Sequence, residues 1–163
     1  MHTSHHNHSA AELTRFLDGE SATLAFGGKL AQALAPGLKL YLRGNLGAGK
    51  TTLARGILRG LGYAGKVKSP TYTLVELYKV SNLYLYHFDF YRFADPEEWE
   101  EAGFREYFGA ESVCLVEWPE KAGDLLPAPD LELRLEIEQE GRRIVVAAMT
   151  ENGRKCLARL RHD

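Results

Sequence analysis

Residues 38–61 read LKLYLRGNLGAGKTTLARGILRGL. The opening LKLYLRG alternates and carries large apolar side chains, which predicts a strand over 38–44. The closing KTTLARGILRGL sets Leu53, Ile57, Leu58 and Leu61 at helical spacing, which predicts a helix over 50–61. Between them GNLGAGKT (44–51) fits G-x-x-x-x-G-K-[ST], the phosphate-binding P-loop. Gly44, Gly47 and Gly49 let the backbone fold tightly enough to aim N–H groups inward at phosphate oxygens. The predicted cradle is therefore the run Gly44, Asn45, Leu46, Gly47, Ala48, Gly49 and Lys50. Thr51 and Thr52 open the helix, whose N-terminus favours anions. Lys50 can set a point charge between the β- and γ-phosphates, and the Thr51 hydroxyl can ligate Mg²⁺. The expected ligands are ATP and Mg²⁺.

A P-loop enzyme also needs an acid near the metal at the end of another strand, and the chain offers two. Glu117 closes the apolar run VCLVE (113–117), as in a Walker B strand, and Asp89 closes LYLYHFD (83–89). Spacing does not divide their roles. The assignment adopted puts Glu117 on the metal with Thr51, and Asp89 on the γ-phosphate side, orienting water. With Lys50, these two are the candidate catalytic residues. The segment KSPTYTLVE (68–76) follows the helix and places Ser69, Thr71 and Thr73 after it; it reads either as a phosphate-sensing switch or as a strand edge with solvent-facing hydroxyls. Trp118 follows Glu117 and either flanks the nucleotide or caps the core. No arginine finger is obvious: Arg43 and Arg92 are the candidates, and each has a structural reading at least as good.

Elsewhere, 21–35 reads as a helix with Ser21 as its N-cap, weakened by Gly27 and Gly28 and ended by Pro36-Gly37. Residues 71–80 and 82–93 have strand composition with Ser81-Asn82 between them, a hairpin. Residues 95–108 read as a helix capped by Asp95, and 112–118 as a buried strand. Residues 131–138 and 142–149 form a second hairpin, and 150–162 a terminal helix. One βα unit among antiparallel hairpins predicts an α/β fold whose sheet is not purely parallel.

At 163 residues the chain is one domain, taken as 19–163 behind a flexible leader over 1–18 that holds four histidines: His2, His5, His6 and His8. Its formal charge of -2 excludes a chain-wide basic nucleic-acid binder. It has no apolar run long enough for a membrane span and no secretory h-region. Cys114 and Cys156 show no pairing signature, so reduced thiols and a cytoplasmic location are expected. The charge is also uneven. From Lys39 to Val75 lie seven basic residues and no acid, whereas Asp89–Glu101 holds six acids against Arg92. Arg55, Arg59, Lys66 and Lys68 are the outward basic candidates for an acidic partner or tRNA, or simply a solvated face.

In combination, GNLGAGKTTLARG, VKSPTYTLVE, YHFDFYR and LVEWPE resemble the TsaE (YjeE) family over roughly residues 20–150. The resemblance implies a P-loop α/β sandwich with a mixed parallel/antiparallel sheet flanked by helices. It implies slow Mg²⁺-dependent ATP hydrolysis in making N6-threonylcarbamoyladenosine (t6A) in tRNA. TsaB and TsaD would be partners, tRNA would be met indirectly, and the threonylcarbamoyl group would not be transferred by this chain. It puts Thr51 and Glu117 on the metal and gives Asp89 to hydrolysis. SPTYT and HFDFYR become switch regions, Thr23 lies beside the adenine, and Arg142 approaches the nucleotide. The alternatives are a small-molecule kinase, for which only 103–108 and 139–144 offer arginine-bearing lids, and a nucleotide-gated interaction module. A GTPase lacks its N-K-x-D motif here.

Overall fold

The chain runs β1 (Glu12–Leu17), α1 (Glu20–Ala33), β2 (Lys39–Arg43), α2 (Lys50–Gly60), β3 (Val75–Val80), β4 (Leu83–Asp89), α3 (Pro96–Ala102), β5 (Ser112–Glu117), β6 (Leu131–Glu138), β7 (Gly141–Ala148) and α4 (Glu151–Arg161). This computed structural model describes residues 11–45, 47–67, 70, 74–80 and 83–162. The strands form one seven-stranded sheet in the order β1-β7-β6-β2-β5-β4-β3. β2 lies parallel to β5 and β6, and β4 parallel to β5. β3, β7 and β1 pair antiparallel to their neighbours. The predicted mixed α/β sheet is thus observed.

Central strands buried on both faces explain the near-continuous apolar runs: all six residues of β5 are buried. Alternation sends Leu40, Leu42 and Leu115 toward α1, α2 and α4, where Leu30, Leu53, Ile57 and Leu157 meet them. It sends Tyr41, Cys114 and Val116 to the opposite face, against the aromatic group Phe88, Phe90, Trp99 and Phe104.

Of the two glycines that weaken α1 as an isolated helix, Gly27 is the one whose missing side chain lets it meet α2. A Cβ on Gly27 would lie 2.8 Å from the Ile57 backbone nitrogen, and one on Gly56 would lie 2.5 Å from the Leu24 carbonyl oxygen. A Cβ on Gly60 would lie 2.8 Å from Gly28 Cα. Small residues thus face each other across the crossing, and backbone packs on backbone.

Three expectations are corrected. The leader does not extend through residue 18: Glu12–Leu17 form β1, paired with β7 from Glu12↔Ala147 to Leu17↔Arg142, with Leu13 and Leu17 buried. Residues 1–10 lie outside the described residues. Helix α1 opens at Glu20 behind Gly19, at φ 94° and without a side-chain cap, so Ser21 is not its N-cap. The helix expected over 95–108 stops at Gly103, whose φ of 68° ends α3, and resumes as a 3-10 turn over Phe104–Tyr107. Asp95 does cap α3: its Oδ1 accepts from the Glu97 amide at 3.0 Å, and Glu98 Oε1 accepts from the Asp95 amide at 3.3 Å. Both cysteines are free and buried. Among the described residues no helix is long and apolar enough to cross a membrane.

Candidate functional site

The C-terminal ends of β2, β4 and β5 lie side by side and aim their loops at one cleft of about 520 Å³. In open α/β sheets this is where ligands bind. Its walls include Thr23, Gly47, Gly49, Lys50, Thr51, Thr52, Asp89, Glu117, Trp118 and Arg142, so residues scattered over 120 positions meet there.

The loop has the conformation its glycines allow. Gly44, Gly47 and Gly49 take φ of 150°, 83° and 105°. A Cβ on Gly44 would strike the Leu135 carbonyl oxygen at 2.6 Å, so that position requires glycine for space as well as for φ. Gly49 is the N-cap of α2, whose first-turn amides open on the cleft beside Thr51 and Thr52. Gly44, Asn45 and Ala48 line a neighbouring groove of about 510 Å³ on the far side of Trp118 rather than the cleft itself. Leu46 lies outside the described residues, as do Ser69, Thr71 and Thr73.

Lys50 is buried; its ammonium donates to the Gly44 carbonyl and sits over the Trp118 indole, 3.7 Å from the ring centroid. Burial pulls its pKa below the usual lysine value, opposed by the carboxylates of Glu117, Glu120 and Asp89. Trp118 is left-handed (φ 57°), which turns the chain out of β5 and lays the indole on the cleft wall against Tyr91, 5.0 Å away. Trp118 thus lines the cleft and also packs against the aromatic core, so both of its readings remain open.

The acids meet as the register dictates. Asp89 is the partner of Glu117 across the β4–β5 ladder. Asp89 Oδ1 accepts from the Tyr91 amide at 3.0 Å, yet burial dominates and pushes its pKa above the usual carboxylate range, with Glu117 adding to the rise. Glu117 is buried at 3% exposure and its Oε2 lies 2.7 Å from His87 Nε2. His87 escapes a motif-based reading, but strand alternation carries the signal: two residues before Asp89, it shares that residue's face.

Arg142 spans the cleft floor. Its Nε donates to the Ala48 carbonyl at 3.0 Å and its Nη2 to that of Gly47 at 3.1 Å. Thr23 Oγ1 donates to the Gly19 carbonyl at 3.1 Å, which fixes the hydroxyl at the start of α1. The arginine-finger candidates stand apart: Arg43 pairs with Glu120 at 3.4 Å and Glu132 at 3.2 Å, and Arg92 is exposed and lines neither cavity. Of the outward basic residues, Arg55 reaches Glu20 at 3.8 Å, and Arg59 donates to the Tyr63 and Gly65 carbonyls at 3.1 and 2.6 Å. Lys68 lies outside the described residues.

Among the described residues no group of three or more His, Cys, Asp or Glu could hold a metal alone. The donor set here is two neighbouring carboxylates and a helix-terminal hydroxyl, all oxygen. That set suits a hard cation that takes its remaining ligands from phosphate and water, the usual habit of Mg²⁺.

The family model for "Threonylcarbamoyl adenosine biosynthesis protein TsaE" matches residues 17–145. A Haemophilus influenzae protein named tRNA threonylcarbamoyladenosine biosynthesis protein TsaE is 45% identical over 151 residues, 90% of this chain and 96% of that protein. A Bacillus subtilis protein of the same name is 40% identical over 138 residues, 83% of this chain and 86% of that one. The crystal structure of Bacillus subtilis YdiB superposes with a TM-score of 0.76 at 34% identity, covering 93% of this chain and 96% of that chain. With most of its length matched by the family model and by both relatives, the chain belongs to the TsaE family.

Proposed function

We propose that this chain binds ATP with Mg²⁺ in the cleft and hydrolyses it slowly, in support of t6A formation in tRNA through a complex with TsaB and TsaD. The observation that carries the reading is the convergence of a glycine cradle, a buried lysine and two strand-end carboxylates on one cleft. The part in t6A biosynthesis rests on the names of the relatives.

The reaction is phosphoryl transfer to water, in which positioning and charge neutralisation do most of the work. Loop amides and the first turn of α2 hold the phosphates. Lys50 exchanges its Gly44 carbonyl for phosphate oxygens. Thr51 and Glu117 would hold Mg²⁺, which supplies charge neutralisation on the phosphate oxygens. Asp89 accepts a hydrogen bond from the attacking water, and its raised pKa makes it a better acceptor than a solvated carboxylate. Thr23 and Gly19 form the wall nearest α1, where the base would rest. Slow turnover follows from the arginines. Arg142 is held by the Ala48, Gly47 and Gly141 carbonyls, and Arg43 is paired with acids, so neither could turn to the transition state without giving up these contacts.

The test is calorimetry of ATP with and without Mg²⁺, followed by single-turnover hydrolysis alone and with TsaB and TsaD. Submillimolar Mg²⁺-dependent binding, slow turnover and rescue of t6A in a depleted strain are expected. Absence of ATP binding, or t6A rescue by a Lys50→Ala protein, overturns the reading.

A further inference from the structure

We propose that His87 is a positioning residue that holds Glu117 in its metal-binding orientation through a hydrogen bond from its Nε2. The inference rests on the Mg²⁺–ATP reading above and deepens it.

His87 is 0% exposed, and Glu117 is 3% exposed. The single contact between them joins His87 Nε2 to Glu117 Oε2 at 2.7 Å, the short separation of a hydrogen bond to a charged acceptor. The other ring nitrogen, Nδ1, is buried and has no hydrogen-bond partner among the described residues. A tautomer with its proton on Nδ1 would strand that N–H in the interior and set a lone pair against the carboxylate, and a proton on Nε2 avoids both.

That bond ties down Oε2 and so fixes the orientation of the Glu117 carboxylate. Buried donors behind metal-binding carboxylates typically change metal affinity 10–100-fold when removed. Strand geometry makes the arrangement coherent. His87 and Asp89 share one face of β4, and the Asp89↔Glu117 register sets Glu117 beside both.

The experiment loads the full chain with a non-hydrolysable ATP analogue and titrates Mn²⁺ or Mg²⁺ by calorimetry, for wild type, His87→Met and His87→Gln. His87→Met removes the donor at similar volume, whereas His87→Gln keeps an amide N–H near the Nε2 position. Expected are a loss of metal affinity of at least about tenfold in His87→Met and recovery to within about threefold of wild type in His87→Gln. Affinity for the analogue in chelator should stay within about twofold in both, a split that loss of packing alone would not produce. Independently, long-range ¹H–¹⁵N correlation spectra of the unliganded wild type should show a proton on His87 Nε2. A folded His87→Met protein with unchanged metal affinity overturns the proposal, as does a His87 that carries no proton on Nε2. Should His87→Met not fold, the tautomer and the His87→Gln titration decide. If wild type binds the analogue but no metal, the proposal fails while nucleotide binding stands; if it binds neither, the underlying reading fails with it.

Discussion

Replacing Lys50 by methionine should cost ATP affinity much less than a count of phosphate contacts suggests. An ammonium bridging two phosphates makes two charge-assisted hydrogen bonds, each worth about 1.5–3 kcal/mol. Lys50 does not come to them from water. It leaves a bond to the Gly44 carbonyl and its seat over Trp118, 3.7 Å from the ring centroid. The first is itself charge-assisted, so about one of the two bonds is offset, and the net contribution is ~2 kcal/mol. That corresponds to a ~30-fold weaker Kd for Lys50→Met. For ADP, with a single bond to gain, the loss should be about threefold or less. The variant should fold at least as well as wild type. Burial depresses the Lys50 pKa below its ordinary 10.5, so at pH 7 the charged ammonium costs the folded state stability. The cost is full at neutral pH and is relieved only as pH rises toward 10.5. Calorimetry with both nucleotides and a melting curve without nucleotide measure all three. ATP affinity within about threefold of wild type, equal losses for ATP and ADP, or a large fall in Tm would refute the reasoning.

Asp89→Asn should slow hydrolysis by about 100-fold or more while Mg²⁺–ATP still binds, measured by single-turnover phosphate release and calorimetry. Because the folded Asp89 holds its proton to higher pH than an unfolded carboxyl, its ionisation costs stability; Asp89→Asn should melt at or above wild type at pH 7, with the difference vanishing below the ordinary carboxylate range. At the helix crossing the two neighbouring glycines should behave oppositely. Gly27→Ala drives a methyl to 2.8 Å from α2 backbone and should cost about 1–3 kcal/mol, whereas Gly28→Ala meets open space and should gain up to about 1 kcal/mol in helix propensity, both read by chemical denaturation. Burial raises the thiols of Cys114 and Cys156 to about 12 and about 11, so neither should react with iodoacetamide at pH 8 until the chain is unfolded.

The parts of the fold legible in the sequence are those where local pattern and tertiary role agree. The strand–glycine loop–helix unit is one, since Gly44 and Gly49 announce a backbone that other residues cannot adopt. Asp89 and Glu117 are another, because an acid closing an apolar strand is conspicuous. β1 was hidden because ELTRFL buries only Leu13 and Leu17; its stability comes from a ladder with residues 130 positions away. Gly27 argues locally against a helix and becomes sensible only against the backbone of α2. His87 looked like one polar residue in an aromatic strand until the register set its ring against Glu117. The structural reading of Arg43 needed Glu120 and Glu132, far along the chain, to give it its partners.

The glycine-lined crossing of α1 and α2 also constrains how the molecule can move. Where Gly27, Gly56 and Gly60 bring backbone against backbone, the two helices have little room to slide past one another. Their leading ends carry Gly19 and Thr23 on one side, and Gly49, Lys50 and Thr51 on the other. In the nucleotide reading proposed above, the base-side wall and the phosphate cradle would therefore share one packed unit. Any stroke accompanying loss of a γ-phosphate would then be expected across the cleft, where Tyr91 and the left-handed Trp118 follow the ends of β4 and β5. A partner that senses the state of the nucleotide would then read that far side, with the packed helices as its reference.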